Sequence, residues 1–490
     1  MTDLPTQLYR AEQVRTLDQT AIETHGIPGY ELMTRAGHAV FTLLHAHFPP
    51  PKNIAVFCGQ GNNAGDGYIV AQLANQAGYA VQIIQVGDES RLEGDALTAF
   101  QAAESVPRVN FGEEFSLDAD IIIDALLGTG LKGKVRDPYF AAIRQINHAR
   151  KPVIAVDIPS GLCANTGNAL GLAVRATHTA TFIGMKQGLL TGDAPNLAGK
   201  VHFFDLRVPT EVYQAVPAAA TRVDSALGER LLRRRPRNAH KGMFGHVLTV
   251  GGDHGYAGAT AMAAEAAARV GAGLTSVATR PEHCAVMLVR RPELMCHGIN
   301  FSNEIEPLLK RATVVAIGPG LGQSDWARAL FRRVIQAELP LVVDADGLNL
   351  LGRDPVKRGN WVLTPHPGEA ARLLNWDTRM VQRDRFATAR AIQEKFGGVV
   401  LLKGAGTILT DGQQTAMISD GNPGMASGGM GDVLTGVIAG LIAQKISLFD
   451  AAQLGAWLHA TAADDCAAAQ GERGLLATDL MPYLRTRANL

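Results

Sequence analysis

Short, continuous apolar runs alternate with longer helical segments along almost the whole chain, and this alternation breaks only once, near the middle. The runs NIAVFCG, AVQIIQVG, IIIDALLG, VIAVDIP and ATFIGM fill the stretch from Asn53 to Met185. After the break come HVLTVGG, GLTSVATR, TVVAIGPG, LVVDADG, WVLTPHPGE and GVVLLKG, from His246 onward. Strands that are apolar at every position are buried on both faces, which is the signature of parallel sheets covered by helices. The pattern predicts an α/β chain built on doubly wound sheets. A chain of 490 residues also exceeds the ~250–300 residues at which a single core stops growing. The break, VPTEVYQAVPAAATRVD from Val208 to Asp224, holds two prolines and no sustained period, and reads as a linker between domains at 1–218 and 223–490. The two halves share no register of self-similarity, so no repeat is predicted.

Charge narrows the partners. Lys+Arg and Asp+Glu number 46 each, so no net field draws the chain to nucleic acid or to an acidic membrane surface. The run RRRPR, Arg233 to Arg237, reads as the solvated end of an amphipathic helix. The five cysteines are scattered, odd in number and without a CxxC pair, which points away from a disulfide framework or a thiolate zinc site and toward a cytoplasmic setting. The opening MTDLPTQLYRAEQ lacks a basic segment followed by an apolar core, and apolar stretches such as Val433 to Ala443 fall short of the ~20 residues that span a bilayer. Small-molecule substrates are expected, with a homo-oligomer as the assembly.

Two groups of motifs carry chemistry. In the first half, GNNAGDG (Gly61 to Gly67) follows a strand and opens a helix; its glycines would permit positive φ and close approach of a phosphate to the helix N-terminus. It is not the GxGxxG dinucleotide fingerprint. Asp124 in DALLGTGLKGK and Asp157 in VDIPSG end two further strands, and parallel strands deliver their C-terminal ends to one edge, so Asn63, Asp124 and Asp157 can converge there. In the second half, GNPGMASGGMGDVLTGVIAGLIA runs from a glycine-rich loop into an apolar helix. The N–H groups of Gly429, Met430 and Gly431 would form an anion hole, and Asp432 could take a proton from an attacking hydroxyl. No Walker loop is present.

The first set of motifs resembles the YjeF N-terminal domain, the NAD(P)H-hydrate epimerase, a Rossmann-like fold. The resemblance implies potassium held by Asn63, Asp124 and Ser160. It implies substrate binding by Asn62, Asn63, Ala64, Gly65 and Asp66, and by Gly128, Thr129, Gly130, Leu131, Lys132, Gly133 and Lys134. Asp157 would sit at the hydrated nicotinamide ring and transfer protons between the two epimers. The second set resembles the ribokinase-like superfamily through its GxGD motif, and within it the YjeF C-terminal domain, the ADP-dependent NAD(P)H-hydrate dehydratase. That likeness implies ADP phosphates on Lys403, Gly404, Ala405, Gly406, Thr407 and Gly431. Gly258, Gly320, His366 and Asp432 would face the substrate, and Glu369 would organise magnesium. Together the two imply repair of NADHX and NADPHX: epimerisation first, then phosphorylation of the ring hydroxyl and elimination, with AMP and phosphate released.

Two other readings stay open on the residues alone. One is a ribokinase-like kinase of a small alcohol, which would have no need of the first domain. The other makes the first domain a nucleotide-binding module without activity.

Overall fold

A computed structural model describes residues 4–112 and 117–489. It divides into two compact units, Met1–Thr221 and Arg222–Leu490; residues 1–3 and Leu490, at the outer ends of the two expected domains, lie outside the described residues.

The N-terminal unit is built on a parallel sheet. Its strands lie in the spatial order Arg108–Asn110, Ala80–Gln85, Asn53–Cys58, Ile121–Ala125, Val153–Val156, His178–Phe182, Lys200–Phe204. The first of these in sequence, Asn53–Cys58, is flanked by the second and the fourth. Connections leave such a pair in opposite directions, and the crevice they open at the C-terminal strand edge is where open α/β sheets bind ligands. Ile54, Val56, Ile121, Ile123, Ile154 and Val156 are at most 1 % exposed, as strands covered on both faces require.

The C-terminal unit repeats that winding. Met295–Gly298, Leu274–Thr279, His246–Val250, Val314–Ile317, Leu341–Val343, Trp361–Leu363 and Val399–Leu402 pair in parallel in that order, and an antiparallel hairpin of Thr407–Thr410 and Thr415–Ile418 follows. Here too the first strand lies between the second and the fourth. The helix Met430–Ala443 is buried at every residue from Val433 to its end, and so is apolar all round rather than along one stripe.

Three sequence expectations are revised by the fold. The stretch Val208 to Asp224 is not a loose linker: it forms the helix Thr210–Gln214 and the strand Ala220–Arg222, with Val208, Val212 and Val216 buried in the N-terminal core. The arginine run lies beyond the short helix Ser225–Leu231 rather than at its end; its arginines are exposed as expected, though one of them is engaged by its neighbours. Arg235 lies over the Phe244 ring at 3.6 Å and donates to the Gly271 carbonyl at 2.6 Å and to Gln444 at 2.8 Å. Finally, GNNAGDG, expected as a glycine loop that opens the next helix, lies mostly within that helix, which begins at Asn62. Among the described residues no helix is long and apolar enough to cross a membrane.

Candidate active sites

In the N-terminal unit a cavity of about 640 Å³ opens where the central strands end. Asp124, the fourth residue of Ile121–Ala125, is fully buried. Its Oδ2 accepts from the Ser160 N–H at 2.8 Å, and its Oδ1 accepts from the Ser160 hydroxyl at 2.6 Å and the Leu126 N–H at 3.3 Å. Burial raises this carboxyl to about 6, against the opposing pull of those hydrogen bonds, all from neutral donors. The Ser160 oxygen also accepts from the Leu127 N–H at 2.8 Å. One residue on, Gly128 lies beside Asn63, where a Cβ would make ordinary contact with the Asn63 Cβ at 3.4 Å. The Asn63 side-chain nitrogen is buried and has no partner.

Asp157 follows Val153–Val156 with φ at 65°, a left-handed conformation a non-glycine residue keeps only when its surroundings over-determine it. They do so here. Lys186, 1 % exposed, makes an ion pair with Asp157 and donates to Thr181 Oγ1 at 3.0 Å and the Phe182 carbonyl at 3.1 Å. The Asp157 N–H donates to the Ala180 carbonyl at 2.7 Å. Three more carboxylates, Asp18, Asp66 and Asp95, line the cavity. Burial pushes Asp18 up to about 7, with Lys186 lowering it and Asp157 raising it. Asp66 is raised well above the usual range by burial, then by Asp157 and Asp18. Three acidic side chains therefore crowd one ammonium, an arrangement suited to moving protons.

The cavity gathers Asn62, Asn63, Asp66, Gly128, Thr129, Gly130, Leu131, Lys132 and Asp157, while Ala64, Gly65, Gly133 and Lys134 are not on its wall. The glycines of the first loop also serve another purpose than expected. Gly61 has φ at −118°, and Gly65 and Gly67 lie inside the helix, none in the left-handed region. A Cβ on Gly65 would stand 2.5 Å from Met33 Sδ, and one on Gly67 2.6 Å from the Ala125 Cβ; these glycines let the helix press against its neighbours. Asp18 and Lys186 escaped sequence reasoning. Lys186 stands just past the apolar run ATFIGM, where a lysine in an otherwise buried segment was the available signal; Asp18, in an ordinary amphipathic helix, offered none.

In the C-terminal unit, three adjacent parallel strands end in Asp344, Thr364 and Lys403. Asp344 is 1 % exposed and accepts from Lys403 Nζ at 2.7 Å and from the Thr435 hydroxyl at 2.9 Å. Glu369 lies 3.8 Å from the same ammonium and accepts from the His366 N–H at 2.8 Å. Burial raises Glu369 to about 7, and Lys403 opposes that rise. Burial works against charge on Lys403, but Asp344 and Glu369 outweigh it and hold its pKa above the usual value.

Gly429 adopts φ of 92° and precedes the first helical residue, Met430, so Asp432 falls in the first turn. Burial pushes Asp432 up to about 7; Asp344 adds to the rise and Lys403 opposes it. A Cβ on Gly431 would lie 3.1 Å from Lys403 Nζ and 3.2 Å from Asp344 Oδ2, so the helix N-terminus and the strand ends meet. The loop Lys403 to Gly406 is shaped from behind by buried Arg385, which donates to the carbonyls of Leu402, Lys403 and Gly406 at 3.3 Å each. Thr407 ties back to the Gly404 carbonyl at 3.1 Å. Gly320, at φ 59°, packs on Tyr256 beside the helix that Ala257 and Gly258 open.

His366 is the N-cap of Pro367–Leu374: its Nδ1 accepts from the Gly368 N–H at 3.0 Å, leaving Nε2 3.4 Å from Glu369. Asp344, Thr435 and Arg385 were not singled out from sequence. Asp344 was visible only as the end of LVVDADG, and Arg385 only as one more arginine in a polar helix.

Comparison with known proteins agrees in both halves. The pattern describing NAD(P)H-hydrate dehydratase matches residues 247–486, and that of the YjeF-related protein N-terminus matches residues 29–188. A bifunctional NAD(P)H-hydrate repair enzyme from Coxiella burnetii is 49 % identical over 487 residues, covering 99 % of this chain and 100 % of that one. Its Escherichia coli counterpart is 42 % identical over 497 residues, covering 99 % and 95 %. Among solved structures, the ADP/ATP-dependent NAD(P)H-hydrate dehydratase of Bacillus subtilis, co-crystallised with ATP and Mg2+, is 26 % identical with a TM-score of 0.50, covering 54 % of this chain and 96 % of that one. With such similarity along its full length, the chain belongs to the family of bifunctional NAD(P)H-hydrate repair enzymes.

Proposed function

We propose that this chain restores hydrated NADH and NADPH, its N-terminal unit interconverting the R and S epimers and its C-terminal unit dehydrating the S epimer at the expense of ADP. The observation that carries the reading is that each unit sets a carboxylate cluster against a glycine-bearing helix N-terminus at its own strand edge, in a chain related end to end to bifunctional repair enzymes.

In the N-terminal unit Arg15 and Lys132 line the cavity and supply positive charge for substrate phosphates. Asp157, held by Lys186, exchanges protons at the hydrated carbon. Asn63, Asp124 and Ser160 fit a potassium ion. The buried Asp124 carboxylate receives only neutral donors, so a cation would relieve it. The Asn63 side-chain nitrogen is buried without a partner; turning the amide over presents its oxygen there instead, and oxygen donors suit a hard ion.

In the C-terminal unit the Gly429 to Gly431 N–H groups stabilise charge on the transferring phosphoryl group. Asp432 takes the proton of the ring hydroxyl as its oxygen attacks the terminal phosphorus of ADP, and AMP departs. Phosphate then leaves with the C–O bonding electrons, a proton is lost from the neighbouring carbon, and the ring double bond returns. Asp344, Glu369 and Asp432 together outnumber the single Lys403 ammonium, so residual negative charge suits a magnesium ion, which supplies charge neutralisation to the phosphates when bound. The loop Lys403 to Thr407 holds the nucleotide.

Single substitutions separate the two activities. Asp157→Asn should slow epimerisation by on the order of 10²–10⁴-fold and leave dehydration of the S epimer intact; Asp432→Asn should do the reverse. Full epimerase activity in the first variant, or full dehydratase activity in the second, would remove the assigned role.

A further inference from the structure

Three histidines distant in sequence meet at the N-terminal unit's sheet, away from the strand ends that carry Asp157. His178 opens the strand His178–Phe182, His202 lies in the neighbouring strand Lys200–Phe204, and His47 is the last residue of the helix Gly29–His47. In register His202 stands opposite Ala180. Since side chains two residues apart share a face of a sheet, His178 and His202 project from the same face.

Each histidine offers one ring nitrogen, and the three nitrogens all lie within 4.8 Å of one another. His178 Nδ1 and His202 Nε2 are 3.1 Å apart, and the His47 ring stacks on that of His178 with centroids 4.4 Å apart. We propose that His47, His178 and His202 form a binding site for one divalent transition-metal ion of the zinc class, with a fourth position open to water or an anion.

Imidazole nitrogen is the donor that such ions favour. Tetrahedral coordination with bonds of about 2.0–2.1 Å sets ligand nitrogens about 3.3–3.4 Å apart, close to the separation of the two strand histidines. The third is exposed at a helix end, so rotation of its side chain closes the remaining gap. A plain N–H···N hydrogen bond would account for His178 and His202 but gives no reason for His47 to complete the group. Burial first, then the neighbouring rings and Lys200, lower the pKa of both strand histidines, to about 4 for His202, which favours the neutral form that binds metal. Lys200, paired in register with His178, favours an anionic fourth ligand.

The cysteine pattern spoke only against a thiolate site, and three histidines separated by more than a hundred residues in one gap have no motif spacing to read. The ion would join two elements that shape the epimerase cavity. The strand His178–Phe182 ends at Thr181 and Phe182, both beside Asp157; the helix Gly29–His47 begins with Gly29, Leu32 and Met33, which line the cavity. Its role is therefore to brace the unit, apart from the chemistry.

The test is titration of the untagged, chelator-stripped full chain with Zn2+ by calorimetry and with Co2+ by visible absorption, which reports tetrahedral coordination. One equivalent per chain is expected, with a higher thermal midpoint in the loaded protein. His202→Ala should weaken binding by at least about tenfold, the smallest loss typical even of an outer-shell partner. His47→Ala, at an exposed position, should do the same with the fold intact. A wild-type chain with no saturable binding overturns the proposal, as does affinity unchanged in both variants.

Discussion

An acid whose pKa rises on folding holds its proton more tightly in the folded state. Its contribution to stability is then present at low pH and is lost as pH rises through the folded value. Asp432, raised to about 7 chiefly by burial and then by Asp344, is in that position. Asp432→Asn should therefore raise the thermal midpoint by about 2–4 °C at about pH 8 and change it little only below about pH 4, where the unfolded carboxyl is also protonated, as read by thermal unfolding. The same titration sets the chemistry, because the base must be ionised to act. Dehydration measured as kcat/KM should climb about tenfold per pH unit below about 7 and level off above it, and a profile flat across that range would count against Asp432 as the base. At this scale the candidate carboxylates Asp124, Asp157 and Asp432 were legible because each ends a strand or begins a helix beside glycines. Their partners Lys186, Asp18 and Asp344 were less so: what brings them to the candidate sites is burial against another element, which no local pattern encodes.

Among the elements, the helix Met430–Ala443 was legible as an apolar helix, but its glycines have a second meaning. A Cβ on Gly436 would stand 1.9 Å from the Ala263 carbonyl oxygen, and one on Gly440 2.7 Å from that of Ala267. The helix thus crosses Ala257–Arg269 at a separation only glycine permits. Gly436→Ala gains up to ~1 kcal/mol of helix propensity, yet it should destabilise the chain by about 1–3 kcal/mol, because backbone and not a flexible side chain must give way. Denaturant unfolding measures the change, and a stabilised variant would contradict the close crossing. The misread linker has a similar cause. Val208, Val212 and Val216 pack into the core, but only Val212 lies in the short helix, so no sustained period marked them where composition suggested an exposed tether.

For the whole molecule, the two units wind their sheets in the same order around the first strand without a visible sequence repeat. A shared order of parallel strands demands only apolar strands, helical connections and right-handed crossovers, which many unrelated sequences satisfy. The order of motifs and the α/β class could therefore be read directly, while the full strand count and the sharing of one winding plan could not: the first sheet has seven strands against five apolar runs in the sequence, because edge strands such as Arg108–Asn110 and Lys200–Phe204 are short or polar. What distinguishes this chain from a lone ribokinase-like kinase is that both units carry a charged, glycine-bordered site. The decisive measurement mixes purified full-length protein with hydrated NADH containing both epimers and follows the return of reduced-nicotinamide absorbance with ADP and without nucleotide. Recovery of all the substrate, dependent on ADP, is expected, because the R epimer is consumed only after conversion to S. Recovery that stops when the S epimer is exhausted would contradict the epimerase assignment, and no ADP-dependent recovery would contradict the repair function altogether.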